Sequence, residues 1–152
     1  MAKSGAKGKR GEREFCQKLR EHGFGAIRSG QVAGVKNFDE SADIITSLDD
    51  VLRFEIKRGY EDTYFTSKQF ERWVNKAIKE TPDHKTPVLA WRKNRQPWVI
   101  YTIQRHVPGF LVSKSVKNFV FVLSGEYNLQ RFYVDDPETW KTTGTFGPRK
   151  QD

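Results

Sequence analysis

Residues 42–58 read ADIITSLDDVLRFEIKR, and this segment is the most informative part of the chain about its fold. Its composition predicts two strands, at 42–47 and 51–58, joined by a short turn at 48–50. Apolar residues alternate with charged residues along the second strand. The charged positions, which would share one face, are Arg53, Glu55 and Lys57. The alternation indicates a strand that packs one apolar face on a core and carries charge on the other face.

The predicted hairpin brings two carboxylates together. If the turn has three residues, Ser47 faces Val51, and the same register places Asp43 directly opposite Glu55. Paired residues of antiparallel strands have Cβ atoms about 4.5–5.5 Å apart. Two carboxylates at that distance repel each other unless a cation or a proton lies between them. Lys57, two residues along on the same face, would offset part of the repulsion.

A third carboxylate is predicted on an upstream helix at 11–23, which would end at Gly23. The apolar stripe of this helix consists of Phe15, Cys16 and Leu19. At about 100° per residue, Glu12 lies in the middle of that stripe, whereas Glu14 faces solvent. A carboxylate on the buried side of a helix costs free energy unless something compensates it. The alternative is an ordinary first-turn glutamate stabilised by the helix dipole.

These residue types are typical of a metal-dependent hydrolase. Magnesium prefers oxygen ligands and usually combines a few carboxylates with substrate phosphate and water. Glu12, Asp43 and Glu55 supply such a set, so we predict Mg²⁺, or Mn²⁺ in its place, at these residues. Lys57 would stabilise charge that develops on phosphorus or steer the attacking water. The combination suits metal-assisted hydrolysis of phosphodiesters.

Composition favours a nucleic acid as the partner. The chain has 152 residues, with 27 lysines and arginines against 19 acidic residues, for a net charge of +8. This length predicts one domain over 1–152, and the positive excess attracts polyanions. The single cysteine excludes an internal disulfide and a multi-cysteine zinc site. No apolar stretch suits a membrane span or a signal peptide, so a cytoplasmic location is expected.

The remaining segments complete an α/β pattern. A helix is predicted from Thr66, which would form a capping box with Gln69, to Glu80. Further strands are predicted at 24–29, 87–91, 98–103, 118–123 and 129–134. Segments without periodicity are a flexible basic arm at 1–10, a loop at 31–40 and a loop or tail at 135–152.

Two other short motifs lack the context that their chemistry needs. Residues 25–30 are similar to part of a phosphate-binding loop, but Gln31 and Val32 stand where that loop requires lysine and serine or threonine. No nucleotide cofactor is therefore expected. Residues 83–85 repeat the acidic-x-lysine spacing between two prolines, in a predicted connection from helix to strand. We interpret this copy as a solvated loop.

Taken in order, a series of short motifs resembles the archaeal-type Holliday junction resolvases, the Hjc family of the PD-(D/E)XK nuclease superfamily. The motifs are Lys7-Gly8, Glu12-Arg13-Glu14, Gly23-Phe24, Arg28-Ser29-Gly30, Asp43-Ile44-Ile45 and Glu55-Ile56-Lys57. The resemblance covers roughly residues 7–103, and the length suits an archaeal or phage resolvase. Two positions depart from the family pattern. Ala42 replaces a proline before the aspartate, and Arg58-Gly59 stands where a serine is common.

The resemblance implies an α/β fold with a PD-(D/E)XK (restriction-endonuclease-like) core, in which helices flank a central mixed β-sheet in the order α-β-β-β-α-β. It implies a homodimeric, Mg²⁺-dependent endodeoxyribonuclease that resolves four-way DNA junctions by paired symmetric nicks. By motif match, Glu12, Asp43 and Glu55 would hold the metal and Lys57 would assist the water. Ser29 would lie near the scissile phosphate. The residues expected to contact DNA are Lys7, Lys9, Arg10, Arg28, Gly30, Lys36 and Gln69.

Two other functions fit the same residues. A sequence-specific or repair endonuclease of the same fold would share the chemistry and differ in its loops. A non-catalytic basic protein could bind nucleic acid by stacking bases on tryptophans, although most tryptophans pack in cores. Cleavage of linear duplexes would distinguish the first alternative, and binding without any dependence on divalent cations would distinguish the second.

Overall fold

The structure is a computed structural model that describes residues 2–29, 42–65, 67–105, 120–124 and 127–136, with side chains at 8–29, 42–65, 67–103 and 129–136. Its elements are α1 (Ala2–Glu21), β1 (Ala26–Arg28), β2 (Ile44–Thr46), β3 (Leu52–Arg58), α2 (Lys68–Glu80), β4 (Thr86–Arg92), β5 (Val99–Arg105), β6 (Val120–Ser124) and β7 (Tyr127–Tyr133). The predicted loop at 31–40 and the predicted tail beyond 136 lie outside the described residues. No helix among them is long and apolar enough to cross a bilayer.

A mixed five-stranded sheet, in the order β3-β4-β5-β7-β6, forms the centre of the fold. β3 and β4 run parallel, and α2 supplies the crossover that a parallel pair requires. The other neighbours are antiparallel, which confirms the predicted hairpin of β4 and β5. β3 therefore lies at one edge of this sheet.

The predicted hairpin between β2 and β3 is wrong. β2 pairs instead with β1, with Ile44 opposite Arg28, and the two form a separate two-stranded sheet. After β2 the chain makes a helical turn, in which the Leu52 N–H donates to the Leu48 carbonyl at 2.9 Å. The Asp49 side chain supports this turn by accepting from the Thr46 N–H at 3.0 Å. Such local bonds compete with a strand ladder, so the chain does not fold straight back.

Helix α1 begins at Ala2 rather than at the predicted Gly11, so residues 2–10 are helical. The alanines, lysines and arginine of this segment are good helix formers, which offsets the cost of its glycines. The predicted end at Gly23 is confirmed. Gly23 has φ +93°, and the Phe24 N–H donates to the Leu19 carbonyl at 2.9 Å, as in a Schellman motif.

Two glycines of α1 are expected to respond oppositely to alanine. A Cβ on Gly11 would lie 2.8 Å from the Arg58 Cβ, whereas a Cβ on Gly8 would meet nothing within 4 Å. Gly8→Ala should therefore stabilise the protein by about 0.5–1 kcal/mol. Gly11→Ala should destabilise it by about 1–3 kcal/mol, because the helix and β3 must move apart. Urea unfolding of both variants checks this, and equal shifts would contradict the close packing of α1 on β3.

Helices cover both faces of the sheet. On one face α1 packs on the apolar side of β3, through contacts such as Phe15 with Phe54, whose ring centroids lie 5.5 Å apart. On the other face lies α2, whose buried residues are Phe70, Trp73, Val74 and Ala77. The N-cap of α2 is Ser67, whose side chain accepts from the Phe70 N–H. This replaces the predicted capping box, whose Thr66 lies outside the described residues.

Candidate active site

Asp43 reaches β3 through its side chain rather than through a hairpin. Its Oδ2 accepts a hydrogen bond from the Ile56 N–H at 2.8 Å. The outer N–H groups of an edge strand lack ladder partners, and the carboxylate satisfies one of them. The bond places Asp43 beside the Glu55–Lys57 segment although β2 and β3 belong to different sheets.

Ser29, at the end of β1, holds the backbone that carries Asp43. Its N–H donates to the Asp43 carbonyl at 3.1 Å. Its hydroxyl lies 2.8 Å from the Ala42 carbonyl oxygen and 3.1 Å from the Asp43 carbonyl oxygen. The Ser29 hydroxyl thus orients the backbone at Asp43, the candidate metal ligand. The expected contact of Ser29 with the scissile phosphate stays a prediction.

Glu55 is buried between β3 and α2, with only 2 % of its surface exposed. Its Oε1 lies 3.3 Å from Arg53 Nη1, and its Oε2 lies 3.5 Å from Lys76 Nζ. Arg53 is itself buried and also lies 3.4 Å from Glu80 Oε1. Buried charges need such partners, because desolvation penalises an unpaired ion.

Sequence reasoning missed the role of Arg53 and Lys76. It placed Arg53 on the charged face of β3 without predicting that α2 covers that face. The available signal was the position of Lys76, three residues after Trp73 and therefore on the same side of an amphipathic helix. Lys57 lies on this side too, with its Nζ 5.5 Å from the centroid of the Trp73 ring.

The three carboxylates share one electrostatic environment. Burial, followed by the charge of Asp43, raises the pKa of Glu12 to about 7, and Glu55 adds to the shift. Burial, followed by the charge of Glu55, raises the pKa of Asp43 to about 6. Arg28 counteracts part of this, since its Nη1 lies 3.9 Å from Glu12 Oε1. Glu12 therefore faces the other two acids from the α1 side, as its place in the apolar stripe predicted.

A family model decides between the interpretations of this arrangement. The model of the archaeal Holliday junction resolvases (Hjc) matches residues 3–119. The chain belongs to this family. The resemblance drawn from the motifs is thereby confirmed, and so is the PD-(D/E)XK fold, whose order α-β-β-β-α-β appears from α1 to β4. No curated protein and no solved structure matches the chain.

Membership of the Hjc family makes the protein a nuclease that acts on DNA. The residues at its candidate site fit a divalent cation by their chemistry, because neighbouring carboxylates raise the pKa of Glu12 and of Asp43, and a cation bound between them would relieve this repulsion. The fit is not yet a formed coordination shell. Among the described side chains, no three acidic, histidine or cysteine residues are arranged as a ready metal site. Each of the three carboxylates has protein partners instead, namely Arg28, the Ile56 N–H, Arg53 and Lys76.

The pKa shifts predict how the resolvase behaves without metal. Because the folded-state pKa of Glu12, about 7, lies above the ordinary glutamate value of 4.5, the folded chain binds that proton more tightly than the unfolded chain. This contribution stabilises the fold as pH falls from 7 towards 4.5 and is lost as pH rises through 7. Glu12→Gln should therefore raise stability at pH 8 by about 1–2 kcal/mol and change little at pH 5. Urea unfolding in EDTA at both pH values tests this, and an equal effect at pH 5 and pH 8 would contradict it.

The expected DNA contacts fall in different places. Arg28 lies beside Glu12, and Lys9 is exposed on α1. Gln69 lies one turn before Trp73 on α2, and its Oε1 accepts from Arg72 Nη2 at 2.6 Å. Arg10 is exposed on α1. The remaining predicted contacts, Lys7, Gly30 and Lys36, lie outside the residues whose side chains the structure describes.

The prediction that Glu14 faces solvent is wrong. Arg58 and Arg92 both donate to its Oε1 at 2.9 Å. Arg10 lies 3.3 Å from its other oxygen. Burial alone would raise the pKa of Glu14, but the hydrogen bonds from Arg58 and Arg92 lower it. Helical periodicity could not reveal this, because the two arginines lie opposite each other at the ends of β3 and β4.

Proposed function

We propose that this resolvase is a divalent-metal-dependent endonuclease that cuts four-way DNA junctions, with Mg²⁺ as the cation and Mn²⁺ as a working substitute. The observation that carries the proposal is the proximity of Glu12, Asp43 and Glu55 at β3, where the charge of Glu55 helps to raise the pKa of both Glu12 and Asp43. Family membership supplies the nuclease activity on DNA. The three carboxylates are the reason to propose a metal ion, because carboxylate oxygens are preferred ligands of Mg²⁺.

Each group at the site has a distinct task in this proposal. Glu12, Asp43 and Glu55 would hold the cation. The chemistry that such a cation supplies when bound is stabilisation of negative charge at the phosphoryl oxygens and a lower pKa for water. Lys57 Nζ adds positive charge where negative charge develops, and its position over the Trp73 ring limits its movement.

In the absence of a cation, Arg53 and Lys76 pair with the Glu55 carboxylate and orient it. Their nitrogens lie 3.3 Å and 3.5 Å from the two Glu55 oxygens. A bound cation would replace part of this pairing, and Lys76, which is half exposed, is the partner with room to move away. Arg53 stays in place, because its side chain is 1 % exposed and also pairs with Glu80.

A four-way junction has approximate two-fold symmetry, so a dimer with the same symmetry can place two equivalent sites on it. We therefore propose a homodimer that makes paired symmetric nicks. The test uses an immobile junction labelled on each strand in turn, incubated with the protein in Mg²⁺ and in EDTA. Symmetric nicks in opposing strands that require Mg²⁺ are expected, with a dimer by light scattering.

The same assay separates the alternatives. Linear and Y-shaped duplexes of the same sequence are cut equally well by a sequence-specific or repair endonuclease, but poorly by a junction resolvase. Binding without cleavage in any divalent cation would overturn the proposed activity and favour the non-catalytic interpretation.

A further inference from the structure

The ends of β3 and β4 carry a second cluster of charged side chains outside the carboxylate site. Arg58 and Arg92 are register partners in the parallel pair, and both donate to Glu14 Oε1 at 2.9 Å. Arg10 lies 3.3 Å from the other Glu14 oxygen. Three guanidinium groups thus surround one carboxylate, which leaves two positive charges uncompensated by it.

A cavity of about 650 Å³ opens against this cluster. Its lining consists of Arg58, Glu61, Arg92, Asn94 and Arg95. Arg58 has only 9 % of its side chain exposed, and its Nη1 donates to Asn94 Oδ1 at 3.0 Å. Arg92 Nε donates to the Gln96 carbonyl at 2.9 Å. These bonds hold both guanidinium groups in fixed orientations at the cavity wall.

The lining selects for anions. Among the described side chains, the four positive charges in and beside the cavity are those of Arg10, Arg58, Arg92 and Arg95. The two negative charges are those of Glu14 and of Glu61, whose Oε2 accepts from the Asn94 N–H at 2.8 Å, so two positive charges remain in excess. Arg95 is exposed and sits on a left-handed backbone, φ 64°, in the turn between β4 and β5. Guanidinium groups offer several parallel N–H donors, a geometry that matches phosphate oxygens.

The cavity lies near the carboxylate site along β3. Arg58 is three positions after Glu55, about 10 Å along the strand, and its side chain lies on the α1 side of the sheet, whereas Glu55 faces α2. On α1, Gly11 packs directly against Arg58, and Glu12 is the next residue. Because the two sites are this close along β3, one DNA strand can reach both.

We propose that the cavity lined by Arg58, Arg92 and Arg95 binds a backbone phosphate of the substrate strand, near the phosphate that is cut. The proposal rests on the proposed function in taking DNA as the ligand. It does not require cleavage, because the binding of a phosphate needs only the arginines. An anion in the cavity neutralises the positive charge that Glu14 leaves uncompensated.

The test measures binding of a fluorescent immobile four-way junction by anisotropy in Ca²⁺, at several salt concentrations. Arg95→Asn keeps a residue that tolerates the left-handed backbone, and Arg92→Gln removes one guanidinium from the wall. Each variant is expected to weaken binding by about tenfold. Each should also reduce the slope of log affinity against log salt by about 0.9 for the lost phosphate contact.

Lys79→Asn is the matched control, because it removes one exposed positive charge near the opposite end of β3, where Glu80 lies 3.4 Å from Arg53. Unchanged binding by Arg95→Asn, or an equal loss in Lys79→Asn, overturns the proposal. If circular dichroism shows that Arg92→Gln is unfolded, Arg95→Asn tests the proposal by itself, because Arg95 is exposed. Cleavage by the wild-type protein in Mg²⁺ is scored separately, so a protein that binds without cutting refutes the proposed function while the variants still decide the cavity.

Discussion

Asp43→Asn is expected to reduce junction cleavage by about a thousandfold or more while leaving the fold intact. Asparagine keeps the oxygen that accepts from the Ile56 N–H at 2.8 Å, so the link to β3 survives. It removes the negative charge that a divalent cation requires. It also removes repulsion from Glu55 and Glu12, so the metal-free variant should unfold at an equal or higher denaturant concentration than wild type.

Single-turnover cleavage in Mg²⁺ measures the expected loss of activity. Junction binding in Ca²⁺ and urea unfolding without metal check that the fold is intact. The control is Asp83→Asn, which changes the exposed copy of the acidic-x-lysine spacing between α2 and β4 and should cut like wild type. Retention of cleavage within about tenfold in Asp43→Asn would remove Asp43 from the proposed metal site.

Glu55→Ala is expected to lower the free energy of unfolding by about 3 kcal/mol, because it leaves the Arg53 charge buried without its nearest partner. Arg53 keeps Glu80, whose oxygen lies at 3.4 Å, so we expect the lower end of the range for a broken buried pair. Urea unfolding without metal measures the change.

The double variant Arg53→Met, Glu55→Leu is the matched comparison. Removing both charges together leaves no unpaired ion, so the double variant should recover most of the stability that Glu55→Ala loses. It should nevertheless remain unable to cut, because Glu55 is a proposed metal ligand. A double variant as unstable as Glu55→Ala would show that the loss comes from packing rather than from charge.

Much of the candidate site was accessible from sequence. The alternation in β3 predicted that Glu55 and Lys57 share a face, and the helical angle of Glu12 predicted a carboxylate turned inward. The proximity of Asp43 to Glu55 was predicted from a strand pairing that does not exist. A hairpin would have placed it opposite Glu55, whereas a side-chain bond to the Ile56 N–H brings it to the same strand.

Arg53, Lys76 and Glu14 show where sequence reasoning stopped. Glu14 was assigned to solvent because α1 has a polar face at that position, and the pairing of Arg53 and Lys76 with Glu55 was not predicted. Arg53 is covered by α2, and Glu14 is partly covered by the ends of β3 and β4. Burial of a polar face depends on which element packs against it, and local periodicity carries no such information.

The amino-acid pattern alone determined the helices, the strands and the residue types of the site, because propensity, periodicity and turn chemistry act over a few neighbouring residues. Tertiary structure decided the pairing of β2 with β1, the edge position of β3 and the cluster of arginines around Glu14. These features join residues far apart in the chain, such as Glu14 and Arg92. Their stability comes from desolvation and ion pairing between packed elements, which exist only after the chain has folded.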